Sequence, residues 1–430
     1  MLKTSAANLF LRSLTLVSKF VLLLFVAARM LPEDLGVFGL FSVTVVISLY
    51  LLGMDFYVFN TREILARDEA ECLPLIRDQV VFHALTYVII LPLLSTVFLT
   101  GLISWKYLGW FYLILVLEHL SQEAGRLLIT LSRPTMANAV LFVRSGIWVY
   151  VVLAMGYLWE GALSLTLIWS FWSLGALASL TLAARALRHL PWKSVLSISV
   201  DWGWLRLGLK GSLPFFGSTV ALLGIQYADR YFLQNFHGEA MVGVYTFFAN
   251  IANLIQVFIY TGVIMILYPR IVSAYQKQKM SDYRVLMRRM ALGVTGGVVI
   301  LSVLAALGIG PLLYLVDKEI YSNHMSIFWI MLGTVTLLTL SHIPHYALYV
   351  RRYDRAIIGS TVLSLVVAVT ANALWVPGLG VRGAAWATFA AMVTLCLAKY
   401  ACLWRVRGRG GMSEDDEVQR GAVATGQAST

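Results

Sequence analysis

Apolar residues in this chain do not alternate with polar ones; they run on for about 20–28 residues at a time between short polar breaks. A helix rises 1.5 Å per residue, so about 20 apolar residues cross roughly 30 Å of hydrocarbon. A membrane β-barrel would show segments of about ten alternating residues instead, and the pattern excludes it. The runs predict twelve spans over residues 7–31, 35–59, 79–103, 107–131, 135–159, 162–187, 206–233, 240–268, 288–316, 323–350, 356–378 and 381–404. The expected class is an all-α polytopic membrane protein.

Composition agrees. Of 430 residues 59% are hydrophobic and 13% charged, with a mean hydropathy of +0.78. A soluble domain carries about 25% charged residues. The net charge of +11 could point to nucleic acid, but its placement does not. Twenty-one of the 33 Lys and Arg fall on the side that holds both termini, and four (Arg29, Lys106, Lys318, Arg382) on the other. The remaining eight lie inside spans. Cytoplasmic loops are the Lys- and Arg-rich ones, so both termini are expected in the cytoplasm of a bacterial inner membrane, with no nucleic-acid partner. Trp105, Trp110, Trp159, Trp192, Trp202, Trp204, Trp375 and Trp404 fall near span ends, where an amphipathic ring suits the headgroups.

Lys3 and the small residues Val26-Ala27-Ala28 imitate a signal peptide, but Arg12 and Lys19 interrupt its apolar stretch. The segment therefore reads as a retained first helix. Cys72, Cys396 and Cys402 give no disulfide framework or metal-ligand spacing.

The chain repeats weakly. A shift of 207 lays Phe25 on Phe232, Gly36 on Gly243, Val37 on Val244 and Phe41 on Phe248, pairing spans 1–2 with spans 7–8. A shift of 219 lays Arg133 on Arg352 and Ala137 on Ala356. Two pseudo-symmetric six-helix lobes follow, 1–187 and 206–404, joined by an interfacial linker at 188–205 and followed by a disordered tail at 405–430.

A charge at a span centre costs at least about 2.5–3.5 kcal/mol on insertion scales, so it should face a watery cavity or a partner. In span 1, Asn8, Arg12, Thr15 and Lys19 step by four, three and four, which places them on one helical face. In span 7, Ser212, Thr219 and Gln226 step by seven, and the shift of 207 lays Ser5, Arg12 and Lys19 on them. In span 4, Glu118, Gln122 and Arg126 step by four, with His119 and Glu123 alongside. The shift of 219 lays Glu123 on His342 and Arg126 on His345. Span 5 adds Asn138 and Arg144, and span 8 adds Thr246, Asn250, Asn253 and Tyr260.

The expected roles are these. Arg12, Lys19, Arg126 and Arg144 form a cationic substrate site. Glu118, Glu123, Asp229, Arg230, His342 and His345 serve coupling or gating. Asn8, Thr15, Thr219, Gln226, Asn250 and Asn253 line a polar cavity. Structural readings stand beside these: stripes that only hydrogen-bond neighbouring helices, a plain Glu123–Arg126 salt bridge, Asp229 and Arg230 capping a helix end, and a satisfied buried His342.

The stretch 228–245, ADRYFLQNFHGEAMVGVY, resembles the seventh-to-eighth helix signature of bacterial polysaccharide exporters. These are the O-antigen and exopolysaccharide flippases of Wzx type, in the superfamily that includes the MATE drug exporters. EDLGVFGLF at 33–41 fits as a weaker first-half copy. The resemblance implies a two-lobed MATE-like bundle that moves undecaprenyl-diphosphate-linked oligosaccharide to the outer leaflet. Its implied partners are that lipid, the bilayer and the polysaccharide polymerase machinery. Lipid II flippases typically have fourteen helices, and the count here is twelve.

Excess cations suit a diphosphate, through strong charge-assisted hydrogen bonds. The alternative is a MATE-like exporter of organic cations, which needs intramembrane carboxylates; Asp55, Glu118, Glu123 and Asp229 are few against eight cations in spans. No cofactor and no enzyme chemistry are expected, since the loops hold no metal-ligand spacing, phosphate-cradling glycine loop or nucleophile triad.

Overall fold

The computed structural model describes residues 2–65, 72–159, 161–190, 192 and 199–408. Most of the expected linker and nearly all of the expected tail lie outside the described residues, as do the side chains of Lys3, Ser5, Arg67, Lys193, Arg407, Arg409 and Arg420.

The described residues are helical, without strands. The first half runs α1 (Leu2–Arg29), α2 (Pro32–Gly53), α3 (Phe56–Leu65), α4 (Leu73–Leu94), the single turn α5 (Thr96–Leu99) and α6 (Leu108–Thr130). It continues with α7 (Pro134–Phe142), a π-helical turn (Val143–Ile147), α8 (Trp148–Leu158) and α9 (Leu165–Ala186). Then follow α10 (Trp202–Ile259), a second π-helical turn (Tyr260–Ile264), α11 (Met265–Gln276) and α12 (Met280–Val316). The chain ends with α13 (Glu319–Asn323), α14 (Ser326–Leu340), α15 (His342–Tyr349) and α16 (Asp354–Gly408).

Among the described residues nine helical segments are long and apolar enough to cross a membrane. Two of these, Trp202–Gln276 and Asp354–Val406, are each broken by a glycine with positive φ, Gly238 (76°) and Gly380 (56°). Counting both sides of each break gives eleven. The twelfth is α6, long enough to span, whose apolar character is diluted by Glu118, His119, Glu123 and Arg126. The twelve predicted spans are recovered.

The breaks also carry the repeat. The break between α1 and α2 falls at Leu31, and 207 residues on lies Gly238. Gly161, with φ of 88°, precedes α9; 219 residues on lies Gly380. A side chain at such φ clashes with its own backbone, so glycine is the residue that turns there. At Leu31 the same break is made differently: Leu31 is extended (φ −65°, ψ 152°) and Pro32 opens the next helix, where its fixed φ and missing N–H cost nothing.

The chain divides into two compact units, Met1–Val220 and Ala221–Thr430. In the first, α6 packs along α9, and α1 along α7, the π turn and α8. The Ser121 and Ser179 hydroxyls meet at 2.6 Å across the α6–α9 contact, a polar contact between small residues of the kind that draws membrane helices together. Ten residues earlier on each of the same two helices, Phe41 stacks on Trp169 with centroids 4.8 Å apart and meets Phe111 edge-on. Arg77, counted above with the loop cations, is buried in the first turns of α4. It pairs with Asp78 and donates to the Ser199 carbonyl at 2.6 Å.

In the second unit α14 packs along α16, with Ile225, Leu338, Ala368, Ala391, Met392 and Leu395 forming a core. The outer face of α12 is apolar and uncovered: Leu307 is 71% and Tyr314 88% exposed, as a lipid-facing surface requires. His237, next to one break, donates through Nε2 to the Val376 carbonyl at 2.7 Å and lies over Gly380 at the other. Past that break the chain folds back so closely that a Cβ on Gly383 would sit 2.4 Å from the Trp375 carbonyl oxygen. Gly383→Ala is therefore expected to lower stability by about 1–3 kcal/mol through overpacking, read as a lower Tm in detergent. Gly308→Ala, with nothing within 4 Å of the new Cβ, should leave Tm unchanged.

Candidate functional site

Among the described residues four polar clusters inside the spans stand out, two in each unit. The first centres on Glu118 of α6, 6% exposed. Trp172 of α9 donates its indole N–H to Oε1 at 2.7 Å, and Arg144 Nε lies 3.4 Å from Oε2. Arg144 also donates through Nη1 to the Glu118 carbonyl at 3.3 Å. It sits in the π turn, whose geometry brings its guanidinium back onto α6, and Trp148 locks that turn by donating to the Arg144 carbonyl at 2.9 Å. Trp148 stacks on Trp172, 6.1 Å apart and 8° from parallel.

Lys19 of α1 is exposed and lies within electrostatic reach of Glu118 and Arg144. Among the described residues no hydrogen bond or ion pair holds its ammonium. Arg12, on the same face, is tethered: its Nε donates to Asn138 Oδ1 at 2.9 Å. Thr15 is buried and donates to the Leu11 carbonyl of its own helix at 2.8 Å. Asn8 is half-buried, and its Oδ1 meets no hydrogen-bond donor.

The second cluster uses another face of α6. Glu118 and Glu123 are five residues apart, about 140° around the helix, whereas His119, Glu123 and Arg126 share a face that looks onto α3 and α4. Arg126 pairs with Glu123 Oε1 and lies over the Tyr57 ring at 3.6 Å. Gln79 donates to Glu123 Oε2 at 2.7 Å and is itself held by Asn60. His83 Nε2 stands 3.5 Å from the same Oε2. His119 Nδ1 bonds Tyr87 Oη at 2.8 Å, and the two imidazoles meet edge to face at 4.8 Å. His83 Nδ1 and His119 Nε2 are buried without a hydrogen-bond partner, a desolvation cost of about 1–3 kcal/mol each. Arg126 thus stands apart from Arg12, Lys19 and Arg144, with which the sequence grouped it.

In the second unit Asp229 is 1% exposed and lies mid-helix in α10, nine residues before the Gly238 break. It caps no helix end. Its carboxylate accepts from Tyr245, from Thr388 at 2.9 Å, and from Arg230 N–H at 2.8 Å and Nη1 at 3.2 Å. Arg230 also donates to the Gln226 carbonyl at 3.1 Å and lies between the Tyr227 and Tyr245 rings, 5.3 Å from each.

The fourth cluster places His342 and His345 of α15 beside Lys399 of α16. Lys399 is 5% exposed, and among the described residues no carboxylate pairs with it. Tyr260, in the second π turn, and Tyr346 flank His342 at 6.2 and 6.3 Å. The shift of 219 thus relates an acid–base pair, Glu123 and Arg126, to two histidines gathered near a lysine. Of the remaining expected lining residues, Thr219, Gln226 and Asn253 are half-buried and Asn250 is exposed; the Asn250 amide turns back to the Thr246 carbonyl at 2.9 Å.

Sequence reasoning missed His83, Gln79, Tyr87, Trp172, Tyr245, Thr388 and Lys399. His83 and Lys399 carried a usable signal, since each is a lone ionisable residue within an apolar run. The others are recognisable only once the helices are packed.

Fold and clusters define an all-α polytopic membrane protein with charged groups held inside its spans. Its fold is MATE-like. It is similar to the outward-facing conformation of a multidrug resistance MATE family transporter of the MOP superfamily, at 14% identity over 94% of this chain and 95% of that one, with a TM-score of 0.62. It is similar also to a MATE in the bent conformation, at 14% identity over 94% of each chain and a TM-score of 0.58. A Vibrio cholerae MATE transporter aligns at 12% identity over 95% of this chain and 98% of its own, with a TM-score of 0.57. Likeness at this identity is one of fold. No protein-family model matches the chain, and no curated protein matches its sequence.

Proposed function

We propose that the protein is a secondary transporter that flips a polyprenyl-diphosphate-linked oligosaccharide across the bacterial inner membrane by alternating access. One observation carries this reading. Of the four carboxylates placed in spans, Glu118, Glu123 and Asp229 are each matched by an arginine (Arg144, Arg126 and Arg230) and only Asp55 is not, while among the described residues a lysine in each unit, Lys19 and Lys399, forms no ion pair with a carboxylate. The surplus charge within the spans is positive, and an anionic cargo is what neutralises it. A diphosphate offers several acceptor oxygens for charge-assisted bonds, and the aromatic and amide groups around them suit sugar hydroxyls.

The two six-helix lobes, the linker at 188–205 and cytoplasmic termini complete the proposal. So does a gating role for Glu118, Glu123, Asp229, Arg230, His342 and His345, and a downstream polymerase that takes the delivered glycan. An interior-negative potential favours outward movement of an anion, by about 2.3 kcal/mol per charge per 100 mV. The fold neighbours favour one competitor, an exporter of organic cations. That chemistry needs a carboxylate free to exchange partners; Glu118, Glu123 and Asp229 are already matched, which leaves Asp55 alone of the four.

Lipid analysis of a strain deleted for this gene, with downstream genes intact, tests the proposal. Expected is a prenyl-diphosphate oligosaccharide held on the inner leaflet and loss of surface glycan. Unchanged glycan lipids with heightened sensitivity to cationic dyes would establish the competitor instead.

A further inference from the structure

We propose that His83, His119 and Glu123 form a binding site for one divalent first-row transition-metal ion of zinc type, clamping α4 to α6. One ligand atom from each residue lies within 4.8 Å of the other two. His119 and Glu123 are four apart on α6 and share its face, and His83 meets them from α4. His83 Nε2 and Glu123 Oε2 are already 3.5 Å apart, close to the roughly 3.3 Å between tetrahedral ligands at zinc bond lengths. The His119 ring has only to tilt inward.

Independent support comes from hydrogen bonding. Both imidazoles are buried, His119 to 1% and His83 to 7% exposure; His119 Nε2 has no hydrogen-bond partner, while in His83 the unpartnered nitrogen is Nδ1 and Nε2 is the one turned to Glu123. A buried imidazole held only for structure would have both nitrogens satisfied. His119 has instead the arrangement of a metal ligand. One nitrogen is fixed by an outer hydrogen bond, to Tyr87 Oη at 2.8 Å, which sets the ring orientation and leaves the other nitrogen to coordinate. Glu123 can serve two cations: Oε1 stays with Arg126, and Oε2 faces the histidines. The Gln79 amide, 2.7 Å from Oε2 and 3.4 Å from His83 Nε2, is the donor that a metal would displace.

Two imidazoles and a carboxylate suit Zn²⁺ or Co²⁺ rather than Na⁺, Mg²⁺ or Ca²⁺, which take oxygen ligands. Three protein ligands leave a fourth position open. The neighbouring Arg126 charge will hold affinity below that of a thiolate site. The site does not depend on the cargo proposed above.

The full chain, purified in detergent with a histidine-free tag and stripped with chelator, should retain one equivalent of Zn²⁺ on dialysis and give visible Co²⁺ absorption bands. Both should be lost in His83→Gln and His119→Gln. They should survive His189→Gln and His324→Gln. Tyr87→Phe should weaken binding by about 10–100-fold, the usual cost of an outer-shell partner. Zinc should raise the Tm of the wild type and not that of the two ligand variants, whose metal-free Tm and gel-filtration profile report their folding. Wild-type protein that retains no zinc, or zinc retained equally after loss of His83 or His119, overturns the site. The first result would leave the cluster a hydrogen-bonded network without a metal, and the second would place the metal elsewhere. Neither bears on the lipid analysis.

Discussion

Asp229→Ala will sharply lower the amount of folded protein recovered from the membrane. The substitution removes the acceptor shared by Tyr245, Thr388 and Arg230 and leaves a guanidinium 3% exposed without its counter-charge. Breaking one side of a buried ion pair costs about 3–5 kcal/mol, a large part of the stability of most domains. Asp229→Asn should fall between, because the amide oxygen still accepts from Tyr245 and Thr388 while the charge is lost. Thermal profiles in detergent measure both. Equal Tm for wild type and Asp229→Ala would mean that the cluster contributes nothing to holding α10 against α16.

Lys19→Ala and Arg12→Ala are expected to abolish surface glycan while leaving expression intact. A hydrogen bond to a charged group contributes about 1.5–3 kcal/mol, or roughly tenfold to more than a hundredfold in rate where it acts only on bound cargo. The two variants are not equivalent. Arg12 also bonds Asn138, so its loss strands a buried amide oxygen, and some of its effect will appear as lowered stability. Lys19 makes no such bond among the described residues; loss of export in Lys19→Ala at unchanged Tm isolates the cargo contribution. Normal export in both variants would remove the cationic site from the proposal.

The architecture was legible in the sequence because the bilayer leaves few choices: backbone groups in hydrocarbon must bond within their own helix, so run length alone marks the spans. The repeat was legible for a related reason. A break in a long helix needs a particular backbone, and the shifts of 207 and 219 that align a few side chains also align Leu31 with Gly238 and Gly161 with Gly380. The clusters were only half legible. Periodicity reports which residues share a face of one helix, and it found the His119, Glu123 and Arg126 neighbourhood. It does not report what faces them, so His83 on α4 and Lys399 on α16 went unassigned. Spacing by four also joined Glu118 to Arg126, although packing sends Glu118 to Arg144 and Trp172 instead.

The π turn at Val143–Ile147 bears on how the first cluster could have arisen. Such a turn spends one residue more than an α-helical turn, and each residue of an α-helix advances the face by about 100°. A single-codon insertion or deletion in this stretch would therefore swing Arg144 off Glu118 without substituting either partner. An indel of that kind, rather than any substitution, is the smallest genetic step that could assemble or dissolve the Arg144–Glu118 pair beside Lys19.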